Sequence, residues 1–341
     1  MPETRSNTSL RAAVIGYGGA FNMGKGHLNW MQDAGMTPAA VCDMDASRLV
    51  TAQEDFPGIA VYTSVDELLA SPDVDIVTII TPHDSHARLA VQAAEARKHV
   101  VVEKPMTITA ADATRMIEAA ERAGVTLSVF HNRRHDGDYL AIKEAVEKGL
   151  IGDVFEIQAG SGGFGHPGTW WRANKAISGG LMYDWGAHFI DWILGLKSGH
   201  KVTQVTGVLH HQVWTDQTNE DHGKIILRFD DGSFAELTQS RTMAVPMPRW
   251  RILGTKGGIL EDGSVREGFK IFRYIDNQIL TGEVKNKPTA WNTYYKDLAA
   301  HLAGEAPLNV TPQSARRIIA VIEAAEKSAK SGKSESVAYE E

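Results

Sequence analysis

The sequence predicts an α/β protein with a doubly wound parallel sheet, followed by an α+β region with a large open, mainly antiparallel sheet. Three observations support this fold class. Short apolar runs alternate with helical patterns along residues 1–132, and the first run enters a Gly-x-Gly turn. From residue 153 onward, several strand patterns follow in series, which is typical of an antiparallel sheet. We therefore predict two domains, 1–132 and 133–341, with the last helical tracts packing back on the first.

The first domain is predicted to contain six strands separated by helices. Ser64 and Glu67 form a capping-box pattern that starts one helix, whereas Thr109 starts a later helix that Gly124 ends. The predicted strands cover residues 10–15, 38–42, 58–62, 74–80, 100–102 and 125–130.

Composition and charge exclude several classes of protein. The formal net charge is −7 and no basic run is present, which argues against nucleic-acid or membrane-surface binding. The polar first ten residues lack the apolar core of a signal peptide, and no apolar run has the length of a membrane span. The single cysteine, Cys42, is expected to be a buried structural thiol. These features predict a cytoplasmic protein without nucleic-acid or membrane partners, with a frayed polar tail at 330–336.

The turn after the first strand, Gly16-Tyr-Gly18-Gly19, has the start of a dinucleotide-binding fingerprint. Glycines there permit a tight turn and a close approach of backbone N–H groups to a pyrophosphate. The third glycine of that pattern is missing because Phe21 takes its place. Gly24 comes three residues late, as though 21–23 were inserted. The segment is therefore either a cofactor turn or an ordinary glycine-rich turn.

Asp43 ends the second strand, where a carboxylate can accept hydrogen bonds from both ribose hydroxyls of a dinucleotide and repel a 2′-phosphate. We therefore predict NAD as the cofactor, preferred over NADP. Arg48, the nearest cation, is expected to be a charge on the surface of the next helix. The alternative is that Asp43 or Asp45 caps that helix.

The fifth strand ends at Glu103-Lys104-Pro105. In open parallel sheets the ligand crevice lies outside the carboxyl ends of the strands, so we expect Lys104 beside a substrate, held extended by Pro105. The alternative is an ordinary surface lysine in a strand-to-helix loop. His83 and His86, after the fourth strand, form a His-x-x-His pair, but no further ligand stands at metal-binding spacing, and no metal site is predicted.

The second domain is predicted to be built on antiparallel strands, with a hairpin signal at Asp230-Asp-Gly232. Apolar residues alternate along one strand, at Ile225, Leu227 and Phe229, and we expect them to form a face that a monomer would expose. The predicted strands cover 153–158, 201–211, 224–229, 233–238, 249–253 and 268–272, and the predicted C-terminal helices cover 291–303 and 311–330.

A second dense group of functional residue types lies at 179–191. Asp184 and His188 are four residues apart and would share one face of a helix. A nearby carboxylate stabilises an imidazolium and orients the ring, so the pair suits proton transfer. The alternative is that Asp184 is a helix N-cap and His188 is a buried core histidine.

In this order, the motifs resemble those of the Gfo/Idh/MocA oxidoreductases. The shared elements are the glycine-rich turn, Thr-Pro-x-x-x-His, Glu-Lys-Pro and Gly-Gly-x-x-x-Asp-x-Gly-x-His-x-x-Asp, over roughly residues 10–330. The resemblance implies a Rossmann domain, a C-terminal open sheet that relatives bury against another subunit, bound NAD(P), and hydride transfer at a sugar or cyclitol hydroxyl. A homodimer or a homotetramer made from dimers is therefore expected.

Carried over by position, the resemblance implies that Lys104, Asp184 and His188 are catalytic. His188 is the expected base, oriented by Asp184, and Lys104 stabilises negative charge on the reacting oxygen. Relatives differ over whether the lysine or the histidine takes the proton first, and many have Asn in place of His83. The residues expected around the cofactor are Gly16, Gly18, Gly19, Phe21, Asn22, Met23, Asp43, Thr81, Pro82, His83, His86, Glu103 and Lys104.

Substrate contacts are predicted in two further segments. Residues 131–135 follow the sixth strand, and 166–172 combine indole faces with hydrogen-bond donors, which suits a polyol. The alternative is that one tryptophan is core packing and Arg172 pairs with a structural carboxylate. The residues expected at the substrate are Lys104, Asn132, Arg133, His135, His166, Trp170, Trp171, Arg172, Asp184 and His188.

The leading functional prediction is an NAD-dependent dehydrogenase acting on a sugar or polyol. A second is an NAD-using glycoside hydrolase, in which the sugar is transiently oxidised and later re-reduced. A third is a non-enzymatic ligand sensor, which the presence of Lys104, Asp184 and His188 disfavours.

Overall fold

The computed structural model describes residues 10–18 and 22–340. Gly19 and Phe21, two of the predicted cofactor residues, lie outside this part of the chain. The chain divides into two compact units. The first comprises the residues up to Asn132 together with Trp291–Arg316, and the second comprises Arg133–Ala290 and the residues from Arg317 onward. In the described part of the chain, no helix combines the length and the apolar character needed to cross a bilayer.

The first unit contains six strands: Arg11–Ile15 (β1), Thr37–Cys42 (β2), Ala60–Tyr62 (β3), Ile76–Ile79 (β4), His99–Val102 (β5) and Leu127–Val129 (β6). They form one sheet in the order β3-β2-β1-β4-β5-β6, in which every pair of neighbours is parallel. The strand order reverses at β1, so the loops after β1 and β4 leave the sheet at the topological switch point, where ligands bind in such sheets. The predicted doubly wound parallel sheet is confirmed.

Five helices connect these strands: Met23–Asp33 (α1), Ala46–Asp55 (α2), Val65–Ala70 (α3), His86–Glu95 (α4) and Ala110–Ala123 (α5). The predicted helix ends are confirmed. The Ser64 hydroxyl accepts from the Glu67 N–H, and Thr109 accepts from the first turn of α5 in the same way. Gly124 ends α5 in the left-handed conformation, with a φ of 68°.

The second unit carries the helices Gly137–Glu147 (α6), Lys175–Ser178 (α7) and Ala187–Leu196 (α8). Its eight strands are Val154–Gly162 (β7), Val202–His210 (β8), His222–Phe229 (β9), Phe234–Ser240 (β10), Trp250–Gly254 (β11), Gly257–Glu261 (β12), Gly268–Ile275 (β13) and Gln278–Lys285 (β14). They form one sheet in the order β14-β13-β12-β11-β7-β10-β9-β8. Only the β7–β10 pair is parallel, so the predicted mainly antiparallel sheet is confirmed.

Sequence reasoning missed two of these strands, β12 and β14. β12 opens with Gly257 and Gly258, which resemble a turn, and almost all of β14 is exposed. Neither strand therefore shows the alternation of apolar and polar residues that predicts a half-buried strand. Cross-strand pairing with β11 and β13 stabilises them instead.

The predicted exposed face of β9 is wrong. Ile225, Leu227 and Phe229 are 0, 0 and 3% exposed, so they belong to the core of the second unit. The open face carries the alternate residues, Lys224 among them, which forms an ion pair with Glu236 on β10. The predicted alternation of apolar residues along the strand is correct, but periodicity alone does not say which face of a sheet is covered.

Two helices close the chain, Thr293–Leu302 (α9) and Pro312–Ser331 (α10). α9 lies in the first unit, and α10 begins there and continues in the second from Arg317. The prediction of a frayed tail at 330–336 is wrong. The Glu335 backbone exchanges two hydrogen bonds with Val205, at 2.8 and 2.9 Å. Further on, the Glu340 carboxylate accepts from Arg317 and from the Val202 N–H.

Candidate active site

The glycine-rich turn packs tightly against its neighbours. Gly16 has a φ of 93°, a left-handed conformation that glycine tolerates, and its N–H donates to the Cys42 carbonyl at 2.8 Å. A Cβ on Gly16 would lie 2.7 Å from the Ile80 carbonyl oxygen, and a Cβ on Gly18 would lie 2.6 Å from the Arg48 side chain. The turn therefore has the close backbone packing that a pyrophosphate site needs, and its residues fit a bound dinucleotide.

Gly24 takes over the role of the missing third glycine. α1 begins at Met23, directly after Asn22, which has a left-handed backbone with a φ of 52°. A Cβ on Gly24 would lie 2.6 Å from the Tyr17 carbonyl oxygen, so glycine allows the first turn of α1 to pack against the loop. The late glycine thus preserves the close contact between helix and turn. The cofactor contacts of Asn22 and Met23 stay predictions.

Asp43 is held at the end of β2 by two backbone N–H groups. Its Oδ2 accepts from Tyr17 at 2.8 Å, and its Oδ1 accepts from Asp45 at 2.9 Å. The cap of α2 is Asp45, which accepts from the Ser47 N–H, so Asp43 is not the cap. Arg48 is a charge on the surface of α2, as predicted, with a side chain 40% exposed, and its Nη1 lies 3.7 Å from Asp43 Oδ2. A cation therefore stands beside the carboxylate expected to bind the ribose.

Hydrogen bonds of its own side chains stabilise the segment after β4. Thr81 Oγ1 lies 2.6 Å from Ser85 Oγ, and His83 is buried. His86 is fully buried, and each of its ring nitrogens lies 2.9 Å from a backbone carbonyl oxygen, those of Thr81 and Pro105. Burial lowers the pKa of His86, against the opposing effect of the two carbonyls. His86 links the loops that follow β4 and β5, and its contact with the cofactor stays a prediction.

Glu103 ties the end of β5 to the backbone of Lys104. Its Oε2 accepts from the Lys104 N–H at 2.9 Å, and its Oε1 lies 3.1 Å from His27 Nε2. Burial opposes the ionisation of Glu103, but the hydrogen bond with His27 and the charges of His27 and Lys104 outweigh it, so its pKa is lowered. Glu103 is therefore a carboxylate. Lys104 is half-buried, and its peptide bond to Pro105 is cis.

In the second unit, Asp184 lies in a π-helical turn, Met182–Gly186, that leads into α8. Such turns are frequent at functional sites. Gly186 occupies the N-cap position of α8, so Asp184 is not the cap of this helix. The Asp184 Oδ1 accepts from Arg172 Nη1 at 2.8 Å. The carboxylate thus has a fixed cationic partner that its motif does not contain.

His188 lies in the first turn of α8 and is 4% exposed. Its ring centroid lies 5.7 Å from that of Trp185 and 6.2 Å from that of Trp192, in a stacked arrangement with Trp192. Aromatic walls on two sides restrict the imidazole to few orientations.

A cavity of about 200 Å³ lies beside Asp184 in this unit. Gln239 and Ser240 line it from the end of β10 and are 4 and 3% exposed. The Gln239 Nε2 donates to Ser161 Oγ on the neighbouring strand β7 at 3.2 Å. Arg241 also lines the cavity. Sequence reasoning missed these residues, although the polar run 238–241, which ends an alternating strand, was a signal for them.

Of the predicted substrate residues in 131–135, Arg133 contacts a residue that lines this cavity. Its guanidinium carbon lies 4.5 Å from the ring centroid of Trp185, which lines the cavity, and its Nη1 pairs with Asp136 at 2.9 Å. Asn132 is buried in the first unit, and His135 is half-buried in the second. The substrate contacts of Asn132 and His135 stay predictions.

Trp170, which is 36% exposed, and Trp171 both contact Arg172, and their contacts with substrate stay predictions. Their ring centroids lie 5.3 and 5.1 Å from its guanidinium carbon, so they position the side chain that holds Asp184. His166 is tied into its own loop. Its Nδ1 accepts from the Gly168 N–H at 3.0 Å, and its Nε2 lies 2.9 Å from an Asp216 oxygen. Both ring nitrogens are engaged in this loop, and the substrate contact of His166 stays a prediction.

Among the residues that the structure describes, one group of potential metal ligands comes close together. His200, Asp230 and Asp231 place ligand atoms within 4.8 Å of one another near the surface. The Lys197 ammonium, however, lies 2.6 Å from Asp231 Oδ2. A cation of the protein itself therefore occupies this group.

Comparison with known proteins agrees with this fold. Residues 10–131 match the model of an oxidoreductase family with an NAD-binding Rossmann fold, and residues 139–260 match the Gfo/Idh/MocA C-terminal domain. The fold and the site define a dinucleotide-binding oxidoreductase with a separate C-terminal domain. The chain belongs to the Gfo/Idh/MocA family, as its motifs predict.

Relatives of known activity match much of the chain. A scyllo-inositol 2-dehydrogenase (NADP(+)) of Bacillus subtilis is 28% identical over 356 residues, which cover 96% of this chain and 95% of the relative. A myo-inositol 2-dehydrogenase of Thermotoga maritima is 30% identical over 262 residues, 76% of either chain. Among solved structures, an NAD-binding protein from Listeria innocua matches with a TM-score of 0.84 and 29% identity, covering 96% of this chain and 97% of that one.

Proposed function

We propose that this protein is a dehydrogenase that transfers hydride between a nicotinamide dinucleotide and a hydroxyl-bearing carbon of a cyclitol or related polyol. The observation that carries the proposal is the carboxylate of Asp184, held by Arg172 on the wall of a polar cavity. The buried amide of Gln239 and the half-buried hydroxyl of Ser161 suit the many hydroxyls of a polyol better than an apolar substrate. The two inositol dehydrogenases among the relatives are consistent with a cyclitol.

In this proposal each catalytic side chain has a separate role. The dinucleotide, when bound, supplies the hydride acceptor. His188 takes the hydroxyl proton on a ring nitrogen, because a carbinol carbon that loses hydride leaves a carbonyl that must also lose its proton. Asp184, fixed by Arg172, favours the imidazolium form of His188. Lys104 directs its ammonium toward the reacting oxygen and stabilises the negative charge that develops there.

We propose NAD as the preferred cofactor, with an affinity only moderately higher than that for NADP. The Asp43 carboxylate at the end of β2 suits the ribose hydroxyls and disfavours a 2′-phosphate. Arg48, at 3.7 Å from that carboxylate, offsets part of the repulsion. A relative that uses NADP(+) is consistent with a narrow margin.

A homodimer, or a homotetramer made from dimers, is proposed from the exposed residues of the second unit. Tyr274, Ile279 and Leu280 on the hairpin β13–β14 are 61, 69 and 50% exposed. A cluster of exposed apolar side chains marks an interaction surface.

A cytoplasmic location is proposed as well, because Cys42 is a buried free thiol whose pKa burial raises to about 11.

Purified protein, NAD and a panel of scyllo-inositol, myo-inositol and simple sugars test the proposal through the absorbance of NADH. We expect NADH to form with at least one cyclitol. A parallel series with p-nitrophenyl glycosides separates the hydrolase: release of nitrophenol without net NADH would replace the dehydrogenase by the glycoside hydrolase. Turnover in neither series would reject both activities.

A further inference from the structure

Side chains of the first unit form a buried hydrogen-bonded chain that ends at the backbone of Lys104. The Thr78 hydroxyl lies 2.9 Å from the Tyr295 hydroxyl, which lies 2.7 Å from His27 Nδ1. His27 Nε2 lies 3.1 Å from Glu103 Oε1, and Glu103 Oε2 accepts from the Lys104 N–H at 2.9 Å. Thr78, His27 and Tyr295 are each fully buried.

The chain joins segments that are far apart in the sequence. His27 is on α1, Thr78 is on β4 and Tyr295 is on α9. The rings of Phe130 and Trp30 pack against the imidazole of His27, with centroids 4.3 and 5.6 Å away. In such an apolar, buried setting a lost hydrogen bond is not replaced by water, so each partner is costly to remove.

The direction of the hydrogen bonds follows from the chemistry of Glu103. A carboxylate only accepts, so His27 Nε2 carries a proton and donates to Oε1. Nδ1 bonds to the Tyr295 hydroxyl in either protonation state of the ring, as the acceptor when the imidazole is neutral and as the donor when it is charged. Tyr295 therefore holds the ring of His27 in place, and His27 fixes one oxygen of Glu103.

We propose that His27 and Tyr295 are positioning residues for Lys104. They hold Glu103 in the orientation in which its second oxygen receives the Lys104 N–H, and this bond fixes the backbone from which the Lys104 ammonium extends. The effect on turnover rests on the proposed dehydrogenase function. The effect on the backbone does not, and the two are measured separately.

The first measurement is hydrogen exchange by mass spectrometry on peptides that cover 103–108, in the full-length protein. Tyr295→Phe removes one hydroxyl and keeps the ring. We expect exchange at the Lys104 amide to become roughly threefold to tenfold faster, the effect of one neutral hydrogen bond. The matched control is Tyr294→Phe, which removes the neighbouring buried hydroxyl that donates to Ser128. Equal rates in wild type and Tyr295→Phe, or the same increase in both variants, would overturn the proposal.

The second measurement is kinetic, with whichever of scyllo-inositol and myo-inositol the wild-type protein oxidises. Tyr295→Phe and His27→Gln are expected to lower kcat by roughly threefold to tenfold with the NAD affinity unchanged. In a Lys104→Ala background the same substitutions should have almost no further effect, because they act through Lys104. If the substitutions lower kcat by the same factor with and without Lys104, the cause is a general loss of stability, which contradicts the positioning role. If no inositol or sugar of the panel is oxidised, the proposed function fails, and the exchange measurement still decides the structural link.

Discussion

The guanidinium of Arg172 donates to the carboxylate of Asp184 at 2.8 Å, and its carbon lies 5.3 and 5.1 Å from the ring centroids of Trp170 and Trp171. Both side chains of the pair are about a quarter exposed, at 24 and 23%. The aspartate that its motif pairs with His188 is therefore also held from a loop that precedes it in the chain. Under the proposed mechanism, this arrangement assigns Arg172 a role in positioning Asp184.

Loss of the catalytic side chains should lower turnover without unfolding the protein. Lys104→Ala and His188→Ala are each expected to lower kcat by about 10²–10⁴-fold on the true substrate, the usual range for general acid–base help. Asp184→Asn should lower kcat less, because the imidazole can still accept a proton. Steady-state kinetics, NAD titration and thermal melting on the same variants check this.

Arg172→Ala should lower kcat about as much as Asp184→Asn does. The double variant should lower kcat little further than either single variant, because the two side chains act as a unit. Glu340→Gln, which weakens another half-buried ion pair of the second unit, controls for a general loss of stability.

If His188→Ala keeps more than about a tenth of the wild-type kcat, against the range above, His188 is not the acid–base catalyst.

The preference for NAD over NADP should decrease when Asp43 is changed and increase when Arg48 is changed. Wild-type protein is expected to bind NAD roughly tenfold more tightly than NADP, a difference of about 1.4 kcal/mol, since one carboxylate repels the 2′-phosphate. Asp43→Asn should abolish the margin, and Arg48→Ala should widen it. Fluorescence titration of both cofactors on the three proteins measures this. A wider NAD preference in Asp43→Asn would contradict the assignment of Asp43 to the ribose.

Gln239 should contribute to polyol affinity rather than to the chemical step. Gln239→Ala removes a buried amide from the cavity wall beside Asp184, and we expect KM for the polyol to rise roughly tenfold while kcat changes less. Gln204→Ala, on an exposed position of β8, is the matched control and should leave both constants unchanged. An unchanged KM in Gln239→Ala would remove this cavity from the substrate site.

The exposed hairpin β13–β14 should be part of an interface between copies of the chain. Ile279→Lys places a charge on its most exposed apolar residue, and light scattering at micromolar concentration should then show smaller particles than for wild type. Val245→Lys, at an apolar residue that is 80% exposed elsewhere, is the control and should keep the wild-type mass. A monomeric wild-type protein would refute the proposed dimer or tetramer.

Asp231 should make the stability of the protein dependent on pH in the acid range. Burial opposes its ionisation, but Lys197 and Ser233 outweigh it and hold its pKa below the usual range. A carboxyl whose folded pKa is lowered stabilises the native state above its unfolded pKa, near about 4. That contribution is lost as the pH falls through the folded pKa.

Asp231→Asn should therefore reduce the free energy of unfolding at pH 7 by about 1–3 kcal/mol, since it leaves the buried Lys197 without its carboxylate. The difference from wild type should be constant above about pH 5 and shrink below about pH 4. Urea unfolding at several pH values measures both. Asp33→Asn, at an exposed position, is the control. A difference that grows toward low pH would contradict the ion pair.

Local sequence patterns predicted most of the fold. The buried parallel strands β4 and β5 are short apolar runs, and such a run can be identified without knowing its neighbours. The caps Ser64 and Thr109 were equally predictable because a cap bonds to a backbone N–H only a few residues away. β14 escaped prediction because it is almost entirely exposed and depends on its partner β13.

The sequence by itself therefore determined the fold class, the family and the positions of Lys104, Asp184 and His188, because these rest on periodicity, turn chemistry and short motifs. Only the tertiary structure decided the partners of those residues. Arg172 reaches Asp184, and His86 links two loop carbonyls, across separations that no local pattern encodes. The physical reason is that a hydrogen bond or ion pair depends on distances of a few ångströms, which for remote residues are set by how the strands and helices pack.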